Sequence, residues 1–214
     1  MGGARRFTDR TAAGEQLATA LRERELDADI ALAIPRGGLP LGRAVADALD
    51  VPLDIVVAKK IGAPGNPEYA IGAVASDGSV WRNETAFRGT STDEDYFQEM
   101  RETEAANARQ KADRYRGDRS EPDLTEKTVV VVDDGVATGS TVRACLKRLQ
   151  NTDAERIVLA VPVGPPSTIT ELQDEADDVV CLETPSGFRG VGQFYENFAQ
   201  VSDEEAMEYL ESET

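Results

Sequence analysis

The chain contains no histidine. That absence removes every mechanism built on an imidazole: His-based triads and dyads, His-ligated metals and His pH switches. Cysteine is nearly absent as well. Cys145 and Cys181 are too few for a disulfide framework or a zinc site, and both fall in apolar stretches, so they are expected to be buried and inert. Positive charge is short: 23 Lys and Arg stand against 40 Asp and Glu, a formal net charge of −17. A protein that grips DNA or RNA by its phosphates needs a basic footprint, and so does a binder of anionic membranes; neither partner is expected. Met1 to Phe7 is too short and polar for a signal peptide, and no apolar run approaches membrane-spanning length. The expectation is a soluble, cytoplasmic protein.

What is present is enough for one domain over residues 1–214, with 40% apolar residues to build a core. The acids are spread along the chain rather than gathered in a tail, and only five of the basic residues are lysine. A diffuse negative surface stays soluble where salt screens its self-repulsion, which suggests a host with high internal salt, the alternative being a merely acidic protein.

Helix-like and strand-like segments alternate, the pattern of an α/β domain with a parallel sheet. Thr8–Glu25 reads as a helix with Leu17 and Leu21 on one face, and Ile30–Ile34 as a short buried strand. Residues 35–40 form a loop and 41–49 a helix; 54–58 is a second strand that ends in Lys59 and Lys60. Residues 61–91 break the rhythm. Gly62, Pro64, Gly65 and Pro67 predict a flexible stretch, and 70–75 with 79–82, joined through Asp77 and Gly78, a β-hairpin. A helix over 92–115, a strand over 128–132 and a helix over 140–150 follow. Strands at 157–163 and 179–182 flank a short helix near 167–175, and 202–210 closes as a helix. The fold expected is an open twisted parallel sheet of about five strands flanked by helices.

One segment carries chemistry. Val129–Val132 delivers Asp133 and Asp134, then the small-residue turn Gly135 to Thr141 opens a helix. Such a turn leaves successive backbone N–H groups uncovered at a helix N-terminus, an anion cradle to which Thr138, Ser140 and Thr141 add hydroxyls. Carboxylates just upstream would repel that anion; they suit sugar hydroxyls or a magnesium ion. A ribose bearing a 5′-phosphate fits both halves. A Walker loop is excluded, since Gly135 and Gly139 enclose three residues rather than four and no Lys follows. Gly187 to Gly192 has neither the spacing nor the place of a dinucleotide fingerprint.

Residues 129–141 resemble the phosphoribosyl pyrophosphate (PRPP) signature of the type I phosphoribosyltransferases, and the resemblance extends along most of the chain. Pro35-Arg36-Gly37-Gly38, after the first strand, is similar to that family's pyrophosphate loop, and Lys59 and Lys60 stand where the family places basic residues. Residues 62–88 match a mobile loop that closes over the sugar, and residues from Thr184 a hood over the base. The layout as a whole most resembles a bacterial and archaeal branch of predicted phosphoribosyltransferases. The implied activity is transfer of ribose 5-phosphate from PRPP to a nitrogenous base with release of pyrophosphate, using Mg2+. The implied assembly is a homodimer, the commonest state by base rate.

The resemblance implies roles residue by residue. Asp133 and Asp134 would hold the ribose hydroxyls or water on the metal, and Val136, Ala137, Thr138, Gly139, Ser140 and Thr141 the 5′-phosphate. Arg36, Gly37, Gly38, Lys59 and Lys60 would hold pyrophosphate, with Arg36 and Lys60 joining the two acids as catalytic groups. The family often has a non-proline cis peptide in the pyrophosphate loop, expected here at Arg36–Gly37. Ala137 stands where members that use 6-oxopurines usually carry an Asp, which lowers those bases as acceptors. Phe188, Phe194 and Tyr195 either stack on a flat base or pack the tail onto the domain. A PRPP-sensing regulator, or another pentose-phosphate chemistry on the same pocket, are the alternatives to the transferase.

Overall fold

In the computed structural model, residues 6–211 are described. In chain order the elements are α1 (Arg10–Glu23), β1 (Ile30–Ala33), α2 (Gly38–Leu49), β2 (Leu53–Ile55), β3 (Ala58–Ala63), β4 (Asn66–Ala75) and β5 (Val80–Arg82). Then come α3 (Glu84–Gly89), α4 (Glu94–Arg116), β6 (Thr128–Val132), α5 (Ser140–Gln150) and β7 (Arg156–Val163). The chain ends with α6 (Pro166–Leu172), β8 (Asp178–Glu183), a 3-10 turn (Val191–Phe194) and α7 (Asp203–Glu211).

The expected open sheet is there: five strands in the order β2-β1-β6-β7-β8, all neighbours parallel. Its strands are continuous apolar runs because both faces are covered. Val130 and Val132 turn toward Leu17, Leu21, Leu41 and Val45 of α1 and α2. Val129 and Val131, one residue out of phase, turn toward Cys145, Leu146 and Leu149 of α5. Helices α4 and α7 close the β2 edge through Ala108, Ala112, Tyr115, Ala206 and Leu210. Every loop at the carboxyl ends of β1 and β6 therefore opens on one rim, where open α/β sheets take their ligands.

The segment after β2 departs from the sequence reading. Lys59 and Lys60 do not end the second strand, which stops at Ile55; they belong to β3, which starts a separate antiparallel sheet in the order β3-β4-β5. Residues 58–63 pair with β4 from Ala58 opposite Ala75 to Ala63 opposite Asn66, so the Gly- and Pro-rich stretch is a hairpin tip rather than a slack linker. The reason is burial: Ile61, Ile71 and Val74 pack on Ala86, Phe97 and Ala105, a small core that β3, β4, α3 and α4 share. The expected hairpin is found after it, with Val74 opposite Val80 and Ser79 donating its N–H and hydroxyl to Asp77.

Two shifts concern the loop after β1. Helix α2 begins at Gly38 rather than Leu41, so the second half of the expected loop belongs to its first turn; Pro40 is tolerated there because a first-turn N–H has no intrahelical acceptor. The non-proline cis peptide lies at Pro35–Arg36, one bond earlier than expected. Cys145 is fully buried and Cys181 half-buried, and burial pushes both thiols up, Cys181 to about 11. Among the described residues no helix is long and apolar enough to cross a membrane.

Candidate active site

The turn after β6 has the form of an anion cradle, and Val136 lines it with its amide already engaged. Gly135 (φ 148°) and Gly139 (φ 74°) take left-handed conformations that other residues rarely adopt, and they swing the chain from the strand into α5. Val136 is spent on the scaffold: its side chain is buried and its N–H donates to the carbonyl of Val163 at 2.9 Å. The amides of Ala137, Thr138, Gly139, Ser140 and Thr141 have no backbone acceptor among the described residues. Five donors thus converge at the N-terminus of an 11-residue helix, where the helix dipole adds positive potential. Thr168 fixes the bend by donating to the carbonyl of Ala137 at 3.0 Å, and the hydroxyls of Thr138 and Ser140 lie 3.1 Å apart. The turn lines a cavity of about 190 Å³ that Lys60, Asp133 and Val191 also face.

The two acids are not equivalent. Asp133 lies on the wall of that cavity; burial, and next the Asp134 charge, hold its carboxyl well above the usual range. Asp134 turns away. Its carboxylate accepts Arg10 Nε at 2.8 Å, and its carbonyl accepts the Tyr195 hydroxyl at 2.7 Å. Burial raises Asp134 too, with Arg10 pulling in the opposite direction. Of the two acids, Asp133 lines the cradle cavity and Asp134 is engaged by Arg10. Magnesium keeps much of its water and takes one or two carboxylates plus substrate phosphates. Asp133 beside the cradle fits that pattern, whereas Asp134 is already engaged. No three Asp, Glu, Cys or His side chains gather into a metal cage among the described residues.

The two glycines of the β1 loop are each pressed against other parts of the chain. A Cβ on Gly37 would lie 2.1 Å from Asp134 Oδ2, and one on Gly38 would lie 2.6 Å from the Val132 carbonyl. The Gly38 amide is also taken, donating to Ile34 at 3.0 Å, which leaves the amides of Arg36 and Gly37 for any anion. Lys59 and Lys60 part company because successive strand residues point to opposite faces. Lys60 faces the cradle. Lys59 instead faces a second cavity of about 700 Å³ with Arg36, Lys111, Arg114, Tyr115 and Asp203.

Several of these residues escaped the sequence. Lys111 and Arg114 sit on one face of α4, a spacing that could have flagged them, and Lys111 donates to the Pro35 carbonyl at 3.1 Å. Arg10, Val191 and Asp203 carry no local signal. In the hood, Tyr195 is 2% exposed and packed between Phe7 and Phe198, so it has no face to offer a base. Phe194 is equally buried; Phe188 stacks on it at 5.4 Å and is half-buried. The hood reaches the cradle through Val191, whose methyl would lie 2.7 Å from a Cβ on Gly135.

Known proteins share this architecture. Two Mycobacterium tuberculosis proteins named "Putative phosphoribosyl transferase", MT0597 and Rv0571c, are each 40% identical to the chain over 205 residues. The match covers 96% of this chain and 46% of theirs, so the chain spans about half the length of the curated relatives it matches. The crystal structure of TT1426 from Thermus thermophilus superposes with a TM-score of 0.81 at 39% identity, over 96% of this chain and 97% of that one. The AQ2163 protein of Aquifex aeolicus, 11% identical, shares the fold at a TM-score of 0.51 over 82% of this chain and 74% of its own. The sequence profile of the phosphoribosyl transferase domain matches residues 9–199. That span runs from the cap of α1 through the β1 loop and the cradle into the hood, and it places the chain in the phosphoribosyl transferase domain family.

Proposed function

We propose that the protein transfers ribose 5-phosphate from PRPP to a nitrogenous base and releases pyrophosphate. The observation that carries this reading is the run of five unpaired amides from Ala137 to Thr141, with Asp133 and Lys60 on the same cavity. That arrangement suits a sugar phosphate: amides and helix dipole for the 5′-phosphate, a carboxylate for ribose hydroxyls, a cation for the departing oxygens.

In such a transfer the bond from the ribose carbon to pyrophosphate breaks early, leaving positive charge on the ring and negative charge on the leaving group. The protein's work is positional and electrostatic. Ala137 to Thr141 hold one end of the sugar, and Asp133 orients its hydroxyls and offsets the ring's positive charge. Arg36, Lys59 and Lys60 stabilise the departing diphosphate. The β3–β4 tip, beyond Lys60 on the same strand, is the segment that would close over the sugar and exclude water that would capture the ring. Magnesium, when bound, supplies charge neutralisation on the diphosphate, with Asp133 as the protein carboxylate closest to its needs. A methyl group at Ala137 takes no proton from a base, which favours acceptors other than 6-oxopurines.

The test is pyrophosphate release from PRPP and magnesium across a panel of bases, at low and high salt. Release that depends on one class of base is expected. Tight PRPP binding with no release on any base would replace the transferase by a PRPP sensor. Activity that falls steadily as salt rises would remove the high-salt host from the account.

A further inference from the structure

Among the described residues, a cluster of cations in this acidic chain lies beside the cradle, not in it. The cavity of about 700 Å³ between the β1 loop and α4 is lined by four cations, Arg36, Lys59, Lys111 and Arg114, and by a single acid, Asp203. That acid comes from the first turn of α7, yet it does not cap the helix. Ser202 and Glu205 already do so reciprocally, Ser202 N–H donating to Glu205 at 2.8 Å and Glu205 N–H to Ser202 Oγ at 3.1 Å. Asp203 is instead spent on the cavity. Oδ1 accepts the Tyr115 hydroxyl and Arg36 Nη1, the latter at 3.5 Å, while Oδ2 accepts Arg114 Nη1 at 2.9 Å. Three donors from two elements thus converge on one carboxylate, the disposition that a phosphate group would require.

We propose that this cavity is a di- or oligophosphate site with a built-in competitor: an incoming phosphate chain takes over the donors that Asp203 holds, and α7 is released from α4. The inference rests on the reading that the diphosphate end of the substrate lies at Arg36 and Lys59, and it adds Lys111 and Arg114 to that end and a regulator to the site. The exchange balances charge, since a phosphate brings more negative charge to the four cations than the carboxylate it displaces. It also couples the pocket to the C-terminal helix. Asp203 is a polar link between α7 and the face of α4 that carries Lys111, Arg114 and Tyr115; Ala206 and Leu210 add apolar packing, and just past α4 Arg119 donates to the Leu210 carbonyl at 3.0 Å.

The probe is inorganic pyrophosphate, titrated calorimetrically into the full chain, with ribose 5-phosphate as the ligand that reads the cradle. Asp203→Asn is expected to tighten pyrophosphate by about tenfold, the scale of one charge-assisted contact, and to leave ribose 5-phosphate unchanged. Lys111→Met is expected to weaken pyrophosphate by a similar factor and Lys111→Arg to restore it. Pyrophosphate affinity that is unchanged or weaker in Asp203→Asn overturns the proposal. The wild-type chain gives a second reading free of folding questions: amide hydrogen exchange in Asp203–Glu211 should quicken when pyrophosphate saturates, and unchanged exchange overturns the release of α7. Pyrophosphate binding with these effects but no release from PRPP on any base overturns the transferase reading and supports this one. Turnover of PRPP with Asp203→Asn and α7 unresponsive does the reverse.

Discussion

Arg10 and Asp134 lie 124 positions apart and meet at 2.8 Å, their side chains 11% and 15% exposed. The pair ties the first turn of α1 to the segment after β6. Arg10 also donates to the Ala199 carbonyl at 2.6 Å and lies 3.9 Å over the Phe198 ring, so the hood is part of the same clasp. Asp134 is thus a fastening point, and Asp133 is left as the carboxylate of the cavity.

The two acids should therefore fail differently when neutralised. Asp134→Asn leaves a mostly buried guanidinium without its counter-charge and should cost about 1–3 kcal/mol of stability. Asp133→Asn keeps an oxygen to accept the Asp134 N–H and removes a carboxyl that burial penalises, so the melting temperature should hold or rise. It should instead weaken PRPP binding or turnover by roughly tenfold to a hundredfold, the loss of one or two charge-assisted hydrogen bonds. Thermal unfolding and PRPP titration of both variants check the division. Equal losses of stability in the two would return Asp134 to the sugar.

How much of this could be read in advance follows from range. The cradle was legible because strand, acids, glycines and helix start are contiguous, and each constrains the next through local backbone chemistry. The parallel strands were legible because burial on both faces makes them continuous apolar runs, as in Val129–Val132. Strand β3 was not: Ala58–Ala63 carries two lysines and a glycine, and Ile61 is buried by residues distant in sequence, among them Phe97 and Ala105 on α4. Partners beyond local range were invisible for the same reason. Nothing near Tyr195 announces the Asp134 carbonyl 61 positions away, and nothing near Asp203 announces Tyr115.

Lys111 gives a pH dependence with a definite sign. Burial first, then the charges of Lys59 on β3 and Arg36 on the β1 loop, bring its ammonium down from 10.5 to about 8. Asp203 on α7 and Asp133 after β6 pull the other way. Between about 8 and 10.5 the unfolded chain holds a proton here that the folded chain lacks, so the stability owed to this group rises with pH across that window. Below about 8 both states are protonated and the full penalty applies. Denaturant unfolding of wild type and Lys111→Met from pH 7.5 to 10 is the measurement. Wild type should gain on the variant as pH rises; a constant difference would mean that Lys111 keeps its ordinary pKa.

The last prediction concerns the platform that carries those cations. Arg116, near the end of α4, reaches the β2 edge, where Nε meets the Asp54 carboxylate at 3.0 and 3.3 Å and Nη2 the Ile55 carbonyl at 2.8 Å. Both residues of the ion pair are 8% exposed. Such a pair contributes little net stability once desolvation is counted, but removing one partner strands a buried charge. Arg116→Met should therefore cost about 3–5 kcal/mol, while Asp54→Leu combined with Arg116→Met should recover much of that loss by replacing the pair with apolar contact. Urea unfolding of wild type, the single variant and the double variant measures the difference. A single variant within about 1 kcal/mol of wild type would assign the pair to the weak class of exposed bridges. If the loss is as large as expected, the setting of α4 against the sheet, and with it the reach of Lys111 and Arg114, depends on a contact outside the pocket.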